Sequence, residues 1–243
     1  GRNTALEDVL PTGGDAVGHI PSRRWDAPVT AAAGSYGAFV ADAQLFDSAF
    51  FGVSPAETHA MDPQQRLLLE FGYIALHAVC GLRESLRAAD VGVFLGIMNA
   101  DFATLHMQSE SVYAATGGTV SIAAGRIFFI LGTQGPCGSY DTACSSALVA
   151  LHGTASAMSA GECPTALVVA VSLMLSPKTH GVYARAGMLS TDGRCKTFDA
   201  RANGYARGDG LLTGRWLAQR GAGSLVLASR SGALAKDTSV EWE

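Results

Sequence analysis

Charge is scarce in this chain. Asp, Glu, Lys and Arg make up 16% of 243 residues, and the formal net charge is −4. No basic tract is present, which removes the electrostatic footprint of a nucleic-acid partner. No apolar run is long and uninterrupted enough to serve as a membrane span. The opening residues 1–10 lack the basic-then-apolar order of a secretory signal; without an initiating methionine they read as those of a fragment or a processed chain. Metal-ligand spacing is also missing. The five cysteines, Cys80, Cys137, Cys144, Cys163 and Cys195, form no tight pair. Their odd number fits reduced thiols in a cytoplasmic or organellar compartment. Disorder is excluded by a hydrophobic content of 48%, and the length suffices for one substantial core or two small ones. The 29 glycines predict many special backbone positions.

What is present centres on residues 135–152. Cys144 sits in Asp141-Thr142-Ala143-Cys144-Ser145-Ser146, behind a glycine-bearing segment that reads as non-helical. Leu148, Leu151, Ala155 and Met158 then recur at steps of three and four, predicting a helix with these residues on its buried face. A thiol at a helix start meets unpaired N–H groups and the positive end of the dipole, and both favour thiolate. From residue type alone Cys144 is either a nucleophile or a small buried hydrophobe in an alanine-rich context. His152 lies about two turns further along the helix. That is too far for direct proton exchange with Cys144, and it reads as a packed histidine.

Around this centre the chain alternates helices and strands. Residues 8–28 are turn-rich. Tyr36–Phe51 mixes aromatic and small residues, and its rings are expected in the core. Asp62 can cap, and Pro63 fits the first turn of, a helix with a buried face of Leu67, Leu68, Phe71, Ala75 and Ala78. Val91–Gly96 reads as a buried strand and residues 99–102 as the loop after it. In Ser121–Leu131, Gly125 would permit close helix packing at a cost in local stability. Gly161-Glu162-Cys163-Pro164 stops the helix that follows Cys144. Cys163 is expected to be structural, and Ala166–Leu173 to be a buried strand. Met174–His180 reads as an exposed loop, making His180 a surface histidine and not a base. Ser190–Gly193 is turn-like, and Lys196 and Asp199 read as an ion pair or as loop anchors. Strands and helices together predict an α/β layered fold.

Several segments carry a resemblance. Asp141–Ser146 with the apolar run to His152, the decapeptide Met61–Glu70, Phe50–Pro55, and Cys195–Asp199 continuing through Asn203–Gly208 are similar to segments of beta-ketoacyl synthases. These are the condensing enzymes of fatty-acid and polyketide synthesis. The resemblance covers residues 1–210, a ketosynthase-like N-terminal half. It implies a thiolase-like layered α/β fold, incomplete and mostly the first half, with a short α/β tail over 211–243. It further implies that Cys144 accepts an acyl group, that the Cys144 N–H is an oxyanion donor, and that Phe198 is a gate lining the pocket. Residues 61–70 would lie near the active-site floor and dimer interface, and residues 103–118 would border the dimer contact and substrate pocket. The implied partners are an acyl carrier protein or domain, acyl and malonyl-type thioesters, and a second copy in a homodimer. No intrinsic cofactor is expected, because the carrier's phosphopantetheine thioester is substrate.

After Gly210 the resemblance changes. Neither the His-Gly-Thr-Gly-Thr nor the Asn-x-Gly-His motif of the family is in the sequence, nor is its first glycine-containing strand. Residues 211–243 look like part of a modular ketoreductase, from a cofactor-binding helix through a second strand. Gly210, Arg230 and Ser231 are the candidates for cofactor contact, the last two at the 2′-phosphate of NADPH. Residues 204–210 do not form the strand and glycine turn that a dinucleotide fingerprint needs, so NADPH binding is not expected. The plainer expectation is a terminal helix over Leu211–Gly223 and an edge strand over Leu225–Ala228. The function expected is beta-ketoacyl synthase-type acyl transfer to Cys144 before decarboxylative condensation. Full condensation by these residues alone is not expected, since the enolate-stabilising histidines are absent. The alternatives are an inactive truncated product, a scaffold fragment that binds a synthase partner, and a reductase fragment.

Overall fold

A computed structural model describes residues 16–26, 34–80, 83–98, 101–106, 110–219 and 222–228, with side chains described except in 78–80, 213–219 and 222–228. The described strands are β1 (Gly18–His19), β2 (Tyr36–Gly37), β3 (Val91–Ile97), β4 (Cys137–Tyr140), β5 (Thr165–Ser172), β6 (Gly210–Gln219) and β7 (Ala222–Ala228). The chain divides into a larger unit, residues 43–172 with 211–243, and a smaller unit, residues 1–42 with 173–210.

In the larger unit the strand order is β4-β3-β5-β6-β7. β3 runs parallel to both β4 and β5, and β6 and β7 form an antiparallel pair. Every residue of β3 is buried, and so are residues 166–171 of β5. Parallel strands read as unbroken apolar runs when helices cover both faces. Alternation along each strand deals its side chains to the two sides. On one side Phe94, Ala166 and Val168 pack with Ala150, Ala157 and Met158 of the helix Ser146–Ser159. On the other, Leu167 and Val169 meet Gly72 of the helix Pro63–Cys80, beside Ile127 of the helix Ile122–Leu131. Burying one such aliphatic side chain contributes roughly 1.5–3 kcal/mol, so the two-sided cover holds the sheet.

The helix Pro63–Cys80 starts as its sequence predicts. Asp62 Oδ1 accepts the Gln64 N–H at 2.8 Å. Leu67, Leu68 and Ala75 are buried, Phe71 is half-buried, and the side chain of Ala78 lies outside the described residues. Burial extends beyond the predicted stripe to Leu69, Leu76, Gln64 and Gln65. The polar members are satisfied internally: Gln65 donates to the carbonyls of Thr116 and Thr119, each at 3.2 Å, and accepts from Arg126 Nε at 2.7 Å. Arg126 also pairs with Glu57.

Several expectations are corrected. Asp101 and Phe102 are not loop; they open the short helix Asp101–Leu105 and are buried, while residues 99–100 lie outside the described residues. Gly125 makes no close approach, because an added Cβ would meet nothing within 4 Å. The helix expected over Leu211–Gly223 is not found among its described residues, since Gly210–Gln219 and Ala222–Ala228 are strands. The segment's composition suits a helix, yet pairing satisfies the backbone groups that β5 would otherwise expose as an edge. Leu225–Ala228 lies in β7, the outermost strand, as expected.

In the smaller unit β1 pairs antiparallel with β2, and bridges join Ala38 to Gly208 and Leu189 to Tyr205. Asp209 ties the segments together: it accepts from Arg24 Nη2 at 2.6 Å, Val40 N at 2.9 Å and Met174 N at 2.8 Å. The predicted loop 174–180 is in part the helix Pro177–Arg185, capped by Ser176, whose hydroxyl accepts from Thr179 N at 3.4 Å. Ser-Pro here is a cap and first-turn signal. His180 is consequently not a surface residue: it is 2% exposed, with its ring 5.8 Å from Trp25. Burial first, and the charge of Arg207 second, hold its pKa below the ordinary histidine value.

Candidate active site

The site is built from a turn and the helix behind it. β4 ends at Tyr140, a 3₁₀ turn covers Ala143–Ser145, and the helix Ser146–Ser159 follows directly. Ala143 has φ +56°, in the left-handed region where a residue with Cβ is strained by roughly 1–2 kcal/mol. The turn holds this strain through side chains. Ser146 Oγ accepts from Thr142 N at 2.9 Å and donates to Ala143 O at 2.6 Å. Asp141 Oδ1 accepts from Ala143 N at 3.1 Å, and Ser145 Oγ lies 2.8 Å from Thr142 O. The Cys144 amide donates none of the hydrogen bonds described for this turn.

Cys144 is exposed, which removes the reading of a small buried hydrophobe. That description belongs to Cys163, which is 2% exposed and whose thiol pKa is pushed up by burial. Cys137, Cys144, Cys163 and Cys195 are all free thiols, and no metal-binding group of three or more His, Cys, Asp or Glu exists among the described residues.

The helix behind Cys144 is rotated from its predicted phase. Its buried residues are Ser146, Ala150, Thr154, Ala157 and Met158, while Leu148 is 69% exposed and Leu151 and Ala155 are half-buried. The backbone comes so close to β3 that a Cβ on Gly96 would sit 2.8 Å from Ala147 N. Contact at that distance selects small side chains, whereas hydrophobic periodicity picks out the leucines. The same rotation exposes His152, correcting its reading as a packed histidine.

Phe198 belongs to the smaller unit and Cys144 to the larger. It is fully exposed, so it is no core aromatic, and its φ of +64° is left-handed. The surrounding loop is cross-linked, though not by a Lys196–Asp199 pair. Lys196 pairs with Asp192 at 2.8 Å and reaches Asn203 Oδ1 at 3.0 Å, while Asp199 pairs with Arg201 at 2.7 Å. The Lys196 hydrogen bond, then that of Ser190, pulls the Asp192 pKa down to about 2. Asp199 is lowered by its bonds from Arg201. Such exposed pairs contribute little to stability but hold loop shape.

Of the suggested cofactor contacts, Gly210 opens β6, and Arg230 and Ser231 lie outside the described residues. β6 and β7 form an antiparallel pair instead of the parallel strands of a dinucleotide-binding unit. A cavity of about 240 Å³ lies in the larger unit, lined in part by His59, Phe102, His106 and Ser111. No described helix is long and apolar enough to cross a membrane. The residues that pattern reading missed are Gly96 and Ser146; the only signal for Ser146 was its place in the Asp141–Ser146 motif.

Comparison with known proteins identifies the family and the fold. The family model described as beta-ketoacyl synthase, N-terminal domain, matches residues 2–213. The spectinabilin polyketide synthase system protein NorA′ of Streptomyces orinoci is 42% identical over 230 residues, which cover 90% of this chain and 6% of that protein. The phenolphthiocerol synthesis polyketide synthase type I Pks15/1 of Mycobacterium bovis is 42% identical over 215 residues, 84% of this chain and 10% of the relative. The chain thus spans a small fraction of these relatives. Among solved structures, the oxazolomycin ketosynthase domain OzmH KS7 of Streptomyces albus has a TM-score of 0.75 at 29% identity, covering 94% of this chain and 40% of that one. The ketosynthase from module 6 of the bacillaene synthase of Bacillus subtilis 168 gives 0.73 at 35% identity, with coverages of 86% and 35%. An exposed cysteine on a strained turn, a mixed sheet covered by helices on both sides of its parallel strands, and these matches converge: the chain belongs to the beta-ketoacyl synthase family, as an N-terminal domain of thiolase-like fold.

Proposed function

We propose that Cys144 accepts an acyl group from a carrier-bound thioester, the first half-reaction of a polyketide-type ketosynthase. The observation that carries this is an exposed thiol at the N-terminal end of a 14-residue helix, with its own amide uncommitted while Thr142 and Ala143 donate elsewhere. The Cys144 sulfur attacks the thioester carbonyl, and the oxygen that gains charge takes the Cys144 N–H as donor, with the helix end adding positive potential. The tetrahedral adduct collapses, the carbon–sulfur bond to the carrier's pantetheine breaks, and that sulfur leaves with the proton lost by Cys144. Covalent capture divides a difficult condensation into easier steps.

In the second half-reaction a malonyl-type extender loses carbon dioxide and its carbanion attacks the acyl-cysteine. By family resemblance two histidines stabilise the enolate, and their motifs are not among these 243 residues. The proposal therefore assigns acyl capture to this chain and condensation to the larger assembly in which such a domain works. Phe198 is proposed as the gate, an acyl carrier protein or domain as the partner, and a second copy of the chain as a dimer mate. Residues 1–210 are proposed as the ketosynthase-derived part. No intrinsic cofactor is required; phosphopantetheine arrives with the substrate.

Intact-protein mass spectrometry after incubation with an acyl-carrier thioester tests the proposal. The expected result is one acyl adduct that disappears in Cys144→Ala. Folded wild-type chain without an adduct would reject acyl capture and favour a scaffold role.

A further inference from the structure

We propose that Ser146 is a positioning residue for Cys144, a role that rests on the acyl-capture function above. Its hydroxyl is committed in both directions, accepting from Thr142 N at 2.9 Å and donating to Ala143 O at 2.6 Å. These two groups flank the left-handed Ala143, so one buried side chain, 5% exposed, brackets the strained residue immediately before the nucleophile. Ser146 is also the first residue of the helix Ser146–Ser159, so the bracket couples the turn to the helix axis. Gly96 completes the arrangement from β3. A side chain there would press within 2.8–2.9 Å of Ser146 C, Ser146 O and Ala147 N, which are backbone atoms that cannot swing away. The sheet thus fixes the helix start, the helix start carries Ser146, and Ser146 holds the turn on which the exposed Cys144 sits.

The role differs from general support of the fold, because alkylation by iodoacetamide needs only an accessible thiol, whereas acyl transfer needs the thiol and the aligned amide together. In Ser146→Ala, transfer from hexanoyl-N-acetylcysteamine to Cys144 is expected to fall by about tenfold to a hundredfold. Alkylation of Cys144 is expected to stay within about threefold of wild type, and Ser146→Thr, which keeps the hydroxyl, is expected to recover most of the transfer. Equal losses in transfer and alkylation, or no loss in either, would overturn the proposal. A measurement on the unaltered chain stands independently of any variant's folding. Native-state hydrogen exchange should show a protected Thr142 amide beside a fast Cys144 amide, and fast exchange at Thr142 would refute the bracket. If the wild-type chain takes no acyl group, the acyl-capture function fails, and the amide measurement still decides whether Ser146 holds the turn.

Discussion

Substituting Asp62 by Asn should stabilise this chain at pH 8 and bring no gain at pH 4. Asp62 is 3% exposed, accepts from Gln64 N at 2.8 Å and lies 3.2 Å from Gln64 Nε2. Its pKa is raised from 3.8 to about 6, by burial first and with a contribution from Asp101, against the lowering effects of Gln64 and Arg66. A carboxyl whose pKa rises on folding binds its proton more tightly in the native state. Its stabilising effect is complete below the unfolded value of 3.8 and is lost as pH rises through about 6. A displacement of about two pH units corresponds to roughly 3 kcal/mol. Asn stays neutral throughout and keeps an acceptor for the Gln64 N–H, but its amide faces another amide and gives back about 1 kcal/mol. The variant should therefore exceed wild type by about 2 kcal/mol at pH 8 and fall slightly below it at pH 4. Urea unfolding of both proteins across that range measures the difference, and subtraction cancels every other titrating group. A difference that stays constant within about 0.5 kcal/mol would show that the buried carboxyl does not titrate as reasoned.

Other consequences are open to measurement. His180 holds its proton less tightly in the folded chain than in the unfolded one, so its contribution to wild-type stability should be full above about pH 6.5 and decline below it. His180→Phe should lack that decline in denaturation at pH 7.5 and 5, and identical pH dependence in both proteins would contradict the assignment. Gly117→Ala would place a Cβ 1.9 Å from Ala60 O and should cost at least ~3 kcal/mol. Gly125→Ala meets nothing within 4 Å and should stabilise its helix by roughly 0.5–1 kcal/mol. Urea midpoints in the opposite order would refute the packing. Asp209→Ala removes the carboxylate paired with Arg24, which keeps the carbonyls of Met174 and Val40, and leaves the amides of Val40 and Met174 without that acceptor, so a loss of about 3–5 kcal/mol should appear in thermal unfolding.

Legibility tracked locality. The strands Val91–Ile97 and Thr165–Ser172 and the start of the helix at Pro63 could be read directly, because apolar runs and an Asp-Pro cap carry their own physics. Pro177 and Gly181 taken singly are loop residues, whereas Ser176-Pro177 together begin the helix Pro177–Arg185. Of the two readings of Lys196 and Asp199, an ion pair or loop anchors, the structure supports the second, since the loop folds each toward a different partner. The position of Cys144 could be read from its motif. The hydroxyl that braces it could not, since a serine beside a cysteine gives no sign of which backbone groups it will reach.

The amino-acid sequence by itself determined the family and the α/β alternation and singled out Cys144 as the candidate nucleophile, each from contiguous residues. Tertiary structure decided the rest. It turned Leu148 outward because the close approach at Gly96 admits only small side chains, and it buried His180 under Trp25. It also made a strand of Gly210–Gln219 because the sheet offered an unpaired edge. These outcomes depend on which surfaces meet across long separations in the chain, and no local pattern encodes that distance.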